Sequence, residues 1–152
     1  MNGTPFSGAA LPGSFAVIAR DWSPGDAVEL ELSLPVERIA SHPRVTMNQG
    51  CVALRRGPVV YCLEGTDHPG VSLYDLVLPR DARIEAAHDQ ELLGGVTRLE
   101  AAGLRRARAT ELYSAVGDHA ADAAVAERLT AVPYFAWANR NRGAMRVFIP
   151  EA

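Results

Sequence analysis

The chain opens with a pattern of period two. Val28, Leu30, Leu32 and Leu34 alternate with Glu29, Glu31 and Ser33, which gives a β-strand one apolar face and one wet face. Residues 15–19, Phe-Ala-Val-Ile-Ala, predict a second strand. Between them, Asp21-Trp22-Ser23-Pro24-Gly25-Asp26 places Pro, Gly and Asp where a turn uses them, so the segment predicts a β-hairpin. Trp22 is expected to cap the apolar face of that hairpin, with stacking on a sugar ring as the alternative.

A second hairpin is expected from residues 51–55 and 58–64 around Arg56-Gly57, with Cys51 opposite Cys62 and Val52 opposite Tyr61. Val52, Leu54, Val59 and Tyr61 make one face apolar, and Cys51, Ala53, Val60 and Cys62 the other. Strands apolar on both sides are covered on both sides, so this hairpin belongs in the interior. Pro58 has no N–H to close the turn, and a bulge there would offset the register. Further strands are expected over 71–78 and around 83–86, 95–101 and 108–112. The Ala-rich stretch 117–127 lacks an apolar stripe and reads as a mobile loop with helical tendency. Residues 130–138 and 144–149 flank Asn139-Arg140-Asn141-Arg142-Gly143 and predict a last hairpin.

Seven or more short strands without a long amphipathic helix predict an all-β fold, an antiparallel β-sandwich built as one or two small, closely packed sandwiches. The expected division is a first, partial sandwich over 1–66 and a second over 67–152, whose last strand returns to the first. At 152 residues the chain is long enough for either arrangement.

Composition narrows the function classes. A formal charge of −3 argues against a nucleic-acid partner. No apolar run reaches the roughly 18 residues of a membrane span, and no basic segment leads into an apolar one at the N-terminus. A cytoplasmic location is therefore the expectation. All 15 basic residues are Arg, which reads as a compositional bias.

Chemistry is sparse. His42, His68, His88 and His119 are scattered without metal-ligand spacing and read as solvated loop residues. Cys51 and Cys62 are expected to be small core residues with inert thiols. Glu64 and Asp67 read as a strand end turning into solvent, so no catalytic residue and no metal ligand is assigned. The most sugar-compatible group is Tyr134-Phe135-Ala136-Trp137-Ala138-Asn139-Arg140. On a strand, Phe135, Trp137 and Asn139 would share one face. Trp137, Asn139 and Arg140, with Trp22, are the candidate carbohydrate-binding residues. The apolar neighbours of Trp137 favour a core role for it.

Three segments then form a pattern. They are residues 13–34 with the Trp-Ser-Pro-Gly-Asp turn, residues 52–64 (Val-Ala-Leu-Arg-Arg-Gly-Pro-Val-Val-Tyr-Cys-Leu-Glu), and residues 132–140 (Val-Pro-Tyr-Phe-Ala-Trp-Ala-Asn-Arg) with Met145, Val147 and Pro150. In this order the chain resembles the C-terminal region of glycoside hydrolase family 127, the β-L-arabinofuranosidase family. The pattern departs from the family at His68 and Phe148. The resemblance implies β-sandwich modules belonging to a larger protein, whose (α/α)6 barrel carries a zinc-held cysteine nucleophile and a Glu acid/base. Neither Cys51 nor Cys62 lies in that cysteine motif, so the zinc is expected in the barrel and this chain alone is expected to be inactive. Met1 is expected to stand in place of an internal residue. The implied role is a non-catalytic accessory domain, with a carbohydrate-binding module as the alternative. The implied partners are the protein's own barrel, a second copy through strand edges, and arabinose-containing glycans.

Overall fold

Gly57 and Pro58 set the geometry of the central hairpin. In the computed structural model, which describes residues 1–6, 8, 11–107, 112–113 and 124–152, strands β2 (Cys51–Arg56) and β3 (Val59–Glu64) meet across these two residues. Gly57 has φ +55, and the ring of Pro58 holds its φ negative, the sign pattern of a type II′ turn. Arg56 pairs with Val59 and Arg55 with Val60, two residues from the expected register. The physical reason is Pro58, which has no N–H for a ladder and so takes a loop position. A slip of two keeps every side chain on its expected face, but Cys51 no longer faces Cys62. A Cβ on Gly57 would also lie 2.5 Å from Leu34 Cδ2. Gly57→Ala is therefore expected to cost roughly 1–2 kcal/mol from the left-handed backbone alone, measurable as a lower urea midpoint.

Beyond the turn, β2 and β3 part company. The start of β2 pairs with β9 (Ile149–Pro150), Val52 opposite Ile149. The end of β3 pairs on one side with β7 (Ala124–Pro133) and on the other with β8 (Met145–Arg146). β1 (Val36–Ala40) covers the far side of β2 along its length. β6 (Val96–Arg106) runs beside β7 from Leu99 to Arg106, and its other edge takes β5 (Ile84–Asp89) and β4 (Leu76–Val77). Leu78 then bridges in parallel to Glu151, just past β9. The path β2–β3–β7–β6–β4–β9–β2 thus returns to its start, and the curled antiparallel sheet closes on itself. Strands from both sides of residue 66 share this sheet.

The interior of the circuit is one apolar cluster, including Val52, Leu54, Tyr61, Leu63, Leu76, Leu78, Leu99, Leu129 and Ile149. Ala53, Cys62 and Val132, on the opposite face of β2, β3 and β7, are buried as well. The hairpin is covered on both sides, as the pattern predicts, although Val60 stays exposed. The fold is all-β among the described residues, with only three-residue 3-10 turns as helix.

Three secondary-structure expectations change. The chain divides into two compact units, Met1–Ser33 and Leu34–Ala152, and among the described residues no strand precedes Val36. Residues 15–19 and 28–33 keep their alternation but pair with nothing as strands; Phe15, Val17, Leu30 and Leu32 are exposed. A two-stranded ribbon is marginal without a layer to cover its apolar face, and none is present among the described residues of that unit. Its turn does form: Asp26 accepts from the Ser23 N–H at 2.8 Å and from Asn2 Nδ2 at 2.7 Å. These bonds, the backbone one first, lower the Asp26 carboxyl below its ordinary range. Next, β8 pairs with β3, so residues 130–138 and 144–149 are not a hairpin. Finally, residues 71–78 yield only the short β4. The candidate strand around 108–112 and the Ala-rich segment fall largely outside the described residues, but Ala124–Glu127 belong to β7.

Candidate functional site

β7 ends at Pro133, and Tyr134–Ala136 form a 3-10 turn. The period is now three, so Tyr134 and Trp137 come together, with ring centroids 6.1 Å apart, while Phe135 points elsewhere. The strand face expected to hold Phe135, Trp137 and Asn139 does not form. The proline starts the turn because the chain must leave the sheet here to cross the end of β3.

Beneath this turn lies a buried polar cluster. Glu64, at the end of β3, is 3% exposed. Its Oε1 accepts the Ala138 N–H at 2.9 Å, and its Oε2 accepts from Arg140 Nη2. Arg140 also forks onto Asp67, Nη1 to Oδ1 at 2.7 Å and Nη2 to Oδ2 at 2.6 Å. Hydrogen bonding to Asp67, then to Glu64, holds the guanidinium proton more tightly than usual, against the opposing effect of burial. Ala138 has φ +62, a left-handed conformation held by this bonding. The Gly65 N–H donates to Ala144 O at 2.9 Å, fixing the far end of the same loop.

His68 completes the cluster and is buried, not solvated. Leu63 pairs with Ala131, so Glu64 and Thr130 would be the next rung of the β3–β7 ladder. The imidazole occupies that rung. Nε2 accepts the Thr130 N–H at 3.2 Å, which leaves Nδ1 to donate to Glu64 O at 2.9 Å. One ring thus satisfies a donor and an acceptor that the parting strands would leave unpaired, and it fixes the neutral Nδ1–H tautomer.

Of the sequence candidates, Arg140 is committed to two carboxylates, and Asn139 Nδ2 donates to Trp137 O at 3.3 Å. Trp137 is 38% exposed, so it is not a core plug. Trp22 is in the other unit, half exposed, with the Arg20 guanidinium 5.3 Å above its ring instead of an apolar face beneath it. Glu64, Asp67 and His68 are the residues sequence reasoning missed. The signal was a run of polar residues directly after a strand buried on both faces.

Cys62 lies fully buried, and burial first, with the charge of Glu64 second, pushes its thiol from 9.0 up to about 12. Between those values the unfolded chain loses the proton and the folded chain keeps it. Stability therefore falls as pH rises, by about 1.4 kcal/mol per unit. Tyr61, raised by burial, adds to the same trend. Urea unfolding at pH 8 and pH 10.5 is expected to show this loss, and Cys62→Ala to flatten it. Among the described residues no group of three or more His, Cys, Asp or Glu is placed to hold a metal ion, and Cys51 and Cys62 are unpaired.

Fold and cluster define an all-β module whose densest polar chemistry is turned inward. Residues 36–150 match the model of the glycoside hydrolase family 127 C-terminal domain, and the chain belongs to that family. It is 36% identical, over 97% of its length, to a non-reducing end beta-L-arabinofuranosidase of Bifidobacterium longum subsp. longum, of which it covers 23%. A solved GH127 beta-L-arabinofuranosidase from Geobacillus stearothermophilus T6 is 42% identical and superimposes with a TM-score of 0.69, over 78% of this chain and 18% of its own. A second solved glycoside hydrolase matches 99% of this chain and 25% of its own, with 31% identity and a TM-score of 0.75. The chain thus spans a quarter or less of the relatives it matches.

Proposed function

We propose that this chain is the non-catalytic accessory part of a β-L-arabinofuranosidase-like glycosidase, whose catalytic barrel lies in the remainder of a longer polypeptide. The observation that carries this is the small share of each relative that the chain covers. The chemistry agrees. Glycoside hydrolysis uses two carboxyl groups flanking the scissile bond, whereas Glu64 and Asp67 grip the same guanidinium. The Cys62 thiol, buried and held in its protonated form, is a poor nucleophile and a poor metal ligand. The zinc that the family resemblance implies is accordingly proposed to sit in the barrel. Assay of the chain with a chromogenic arabinofuranoside, together with metal analysis, is the test. Expected are no turnover and no stoichiometric zinc; turnover, or zinc bound at one equivalent, would overturn the proposal.

A second copy of the chain is the other partner proposed. Val28, Leu30 and Leu32 are exposed apolar residues of an alternating run that pairs with no strand of this chain, and a run of that pattern is open to pairing with its copy in a second molecule. Light scattering is expected to show an apparent mass that rises with concentration. A constant monomer mass over about a hundredfold range would count against this.

A further inference from the structure

We infer that the cleft between Leu93 and Phe135 is the seat on which this module docks the remainder of its own polypeptide, taking an apolar side chain from it. The inference rests on the accessory-domain reading above. Leu93, Val96, Phe135, Ala136 and Asn139 line a cleft of about 340 Å³. Phe135 is 70% and Leu93 41% exposed, large apolar groups on a surface whose strands otherwise carry ion pairs such as Arg98–Asp89.

Both walls are held in place. Phe135 stands on the 3-10 turn anchored by Ala138 and Arg140 to Glu64, and its neighbour Ala136 is buried. Leu93 has φ +50 and is followed by Gly94 and Gly95, also at positive φ, so the turn between β5 and β6 carries a costly conformation at this residue. Pre-set walls reduce the ordering cost of binding.

The lining decides the occupant. Four of the five residues are apolar, and the one amide already donates to the Trp137 carbonyl. A pentose would lose water from its hydroxyls with few groups to replace it, whereas an apolar side chain gives up nothing of the kind. The partner at hand is the rest of the polypeptide. The relatives extend over three quarters or more of their length beyond the matched region, and a tethered domain docks at high effective concentration.

The test uses the longer polypeptide carrying Phe135→Asp or Leu93→Asp, with Met47→Asp, at an exposed apolar residue outside the cleft, as control. Loss of a docking anchor is expected to speed proteolytic cleavage between the parts by about tenfold or more, with the melting of the 34–152 unit unchanged. Cleavage no faster than in the control would overturn the docking site while leaving the accessory reading intact. Movement of the Phe135 and Leu93 NMR signals with millimolar arabinose-containing oligosaccharide would overturn it in favour of a sugar site. A gene encoding no further domain would sink the accessory reading and the docking site together.

Discussion

Arg140→Ala is expected to destabilise the 34–152 unit by about 3–5 kcal/mol, the cost of removing one partner from a buried ion pair. Arg140 holds two carboxylates at once, and the Glu64 side chain is only 4% exposed. Without the guanidinium, Glu64 keeps a single backbone donor, from Ala138, and faces Asp67 as a like charge. Arg140→Lys is expected to recover part of the loss, since an ammonium cannot reproduce the fork onto Asp67 together with the bond to Glu64. Urea unfolding followed by Trp fluorescence is the measurement. The loop carries Trp137, so loosening should register in the native baseline before global unfolding. A loss below about 1 kcal/mol would show the cluster to be a surface pair of ordinary worth.

Leu78→Ala is expected to cost about 2–5 kcal/mol, the range for a fully buried leucine. The position combines two roles. Its side chain belongs to the core cluster, and its backbone joins the C-terminal strand, with its N–H donating to Pro150 O at 2.8 Å and its carbonyl accepting from Ala152 N at 3.3 Å. Arg38 braces the same junction, donating to Glu151 Oε1 at 2.8 Å and Ala82 O at 2.6 Å. Leu30→Ala, at an exposed position, is expected to change stability by less than about 0.5 kcal/mol in the monomer. Paired thermal and urea melts of the two variants check the contrast; equal losses would mean that the core is placed wrongly.

How much of this was legible follows from distance along the chain. The β2–β3 hairpin was readable because its two runs and their turn are contiguous; only the register moved, by two, because the two-residue loop sits one position later, at Gly57-Pro58. The aromatic stretch was read as strand on its apolar run although Pro133 lies within it; the proline in fact ends β7, and the turn after it carries the chain over the end of β3. Residues 28–33 show that alternation marks a capacity to pair without supplying the partner. The polar cluster left only a faint local signal, for another reason. Glu64 and Arg140 are 76 residues apart, and His68 and Thr130 are 62 apart. Nothing local in Asp67-His68-Pro69 reveals that the imidazole will stand in for a rung of the sheet.

The closed circuit also has a consequence in time. Its last link is made by residues 149–151, which pair with Cys51, Val52 and Leu78. Until those residues leave the ribosome, β2 and β4 remain open edges with the apolar cluster between them. Contacts of such long sequence separation form slowly, and open edges invite wrong pairing. The circuit is thus closed only when its β9 strand is made, and a chain stalled before it would leave the Cys51–Val52 edge and the Leu78 end of the core uncovered.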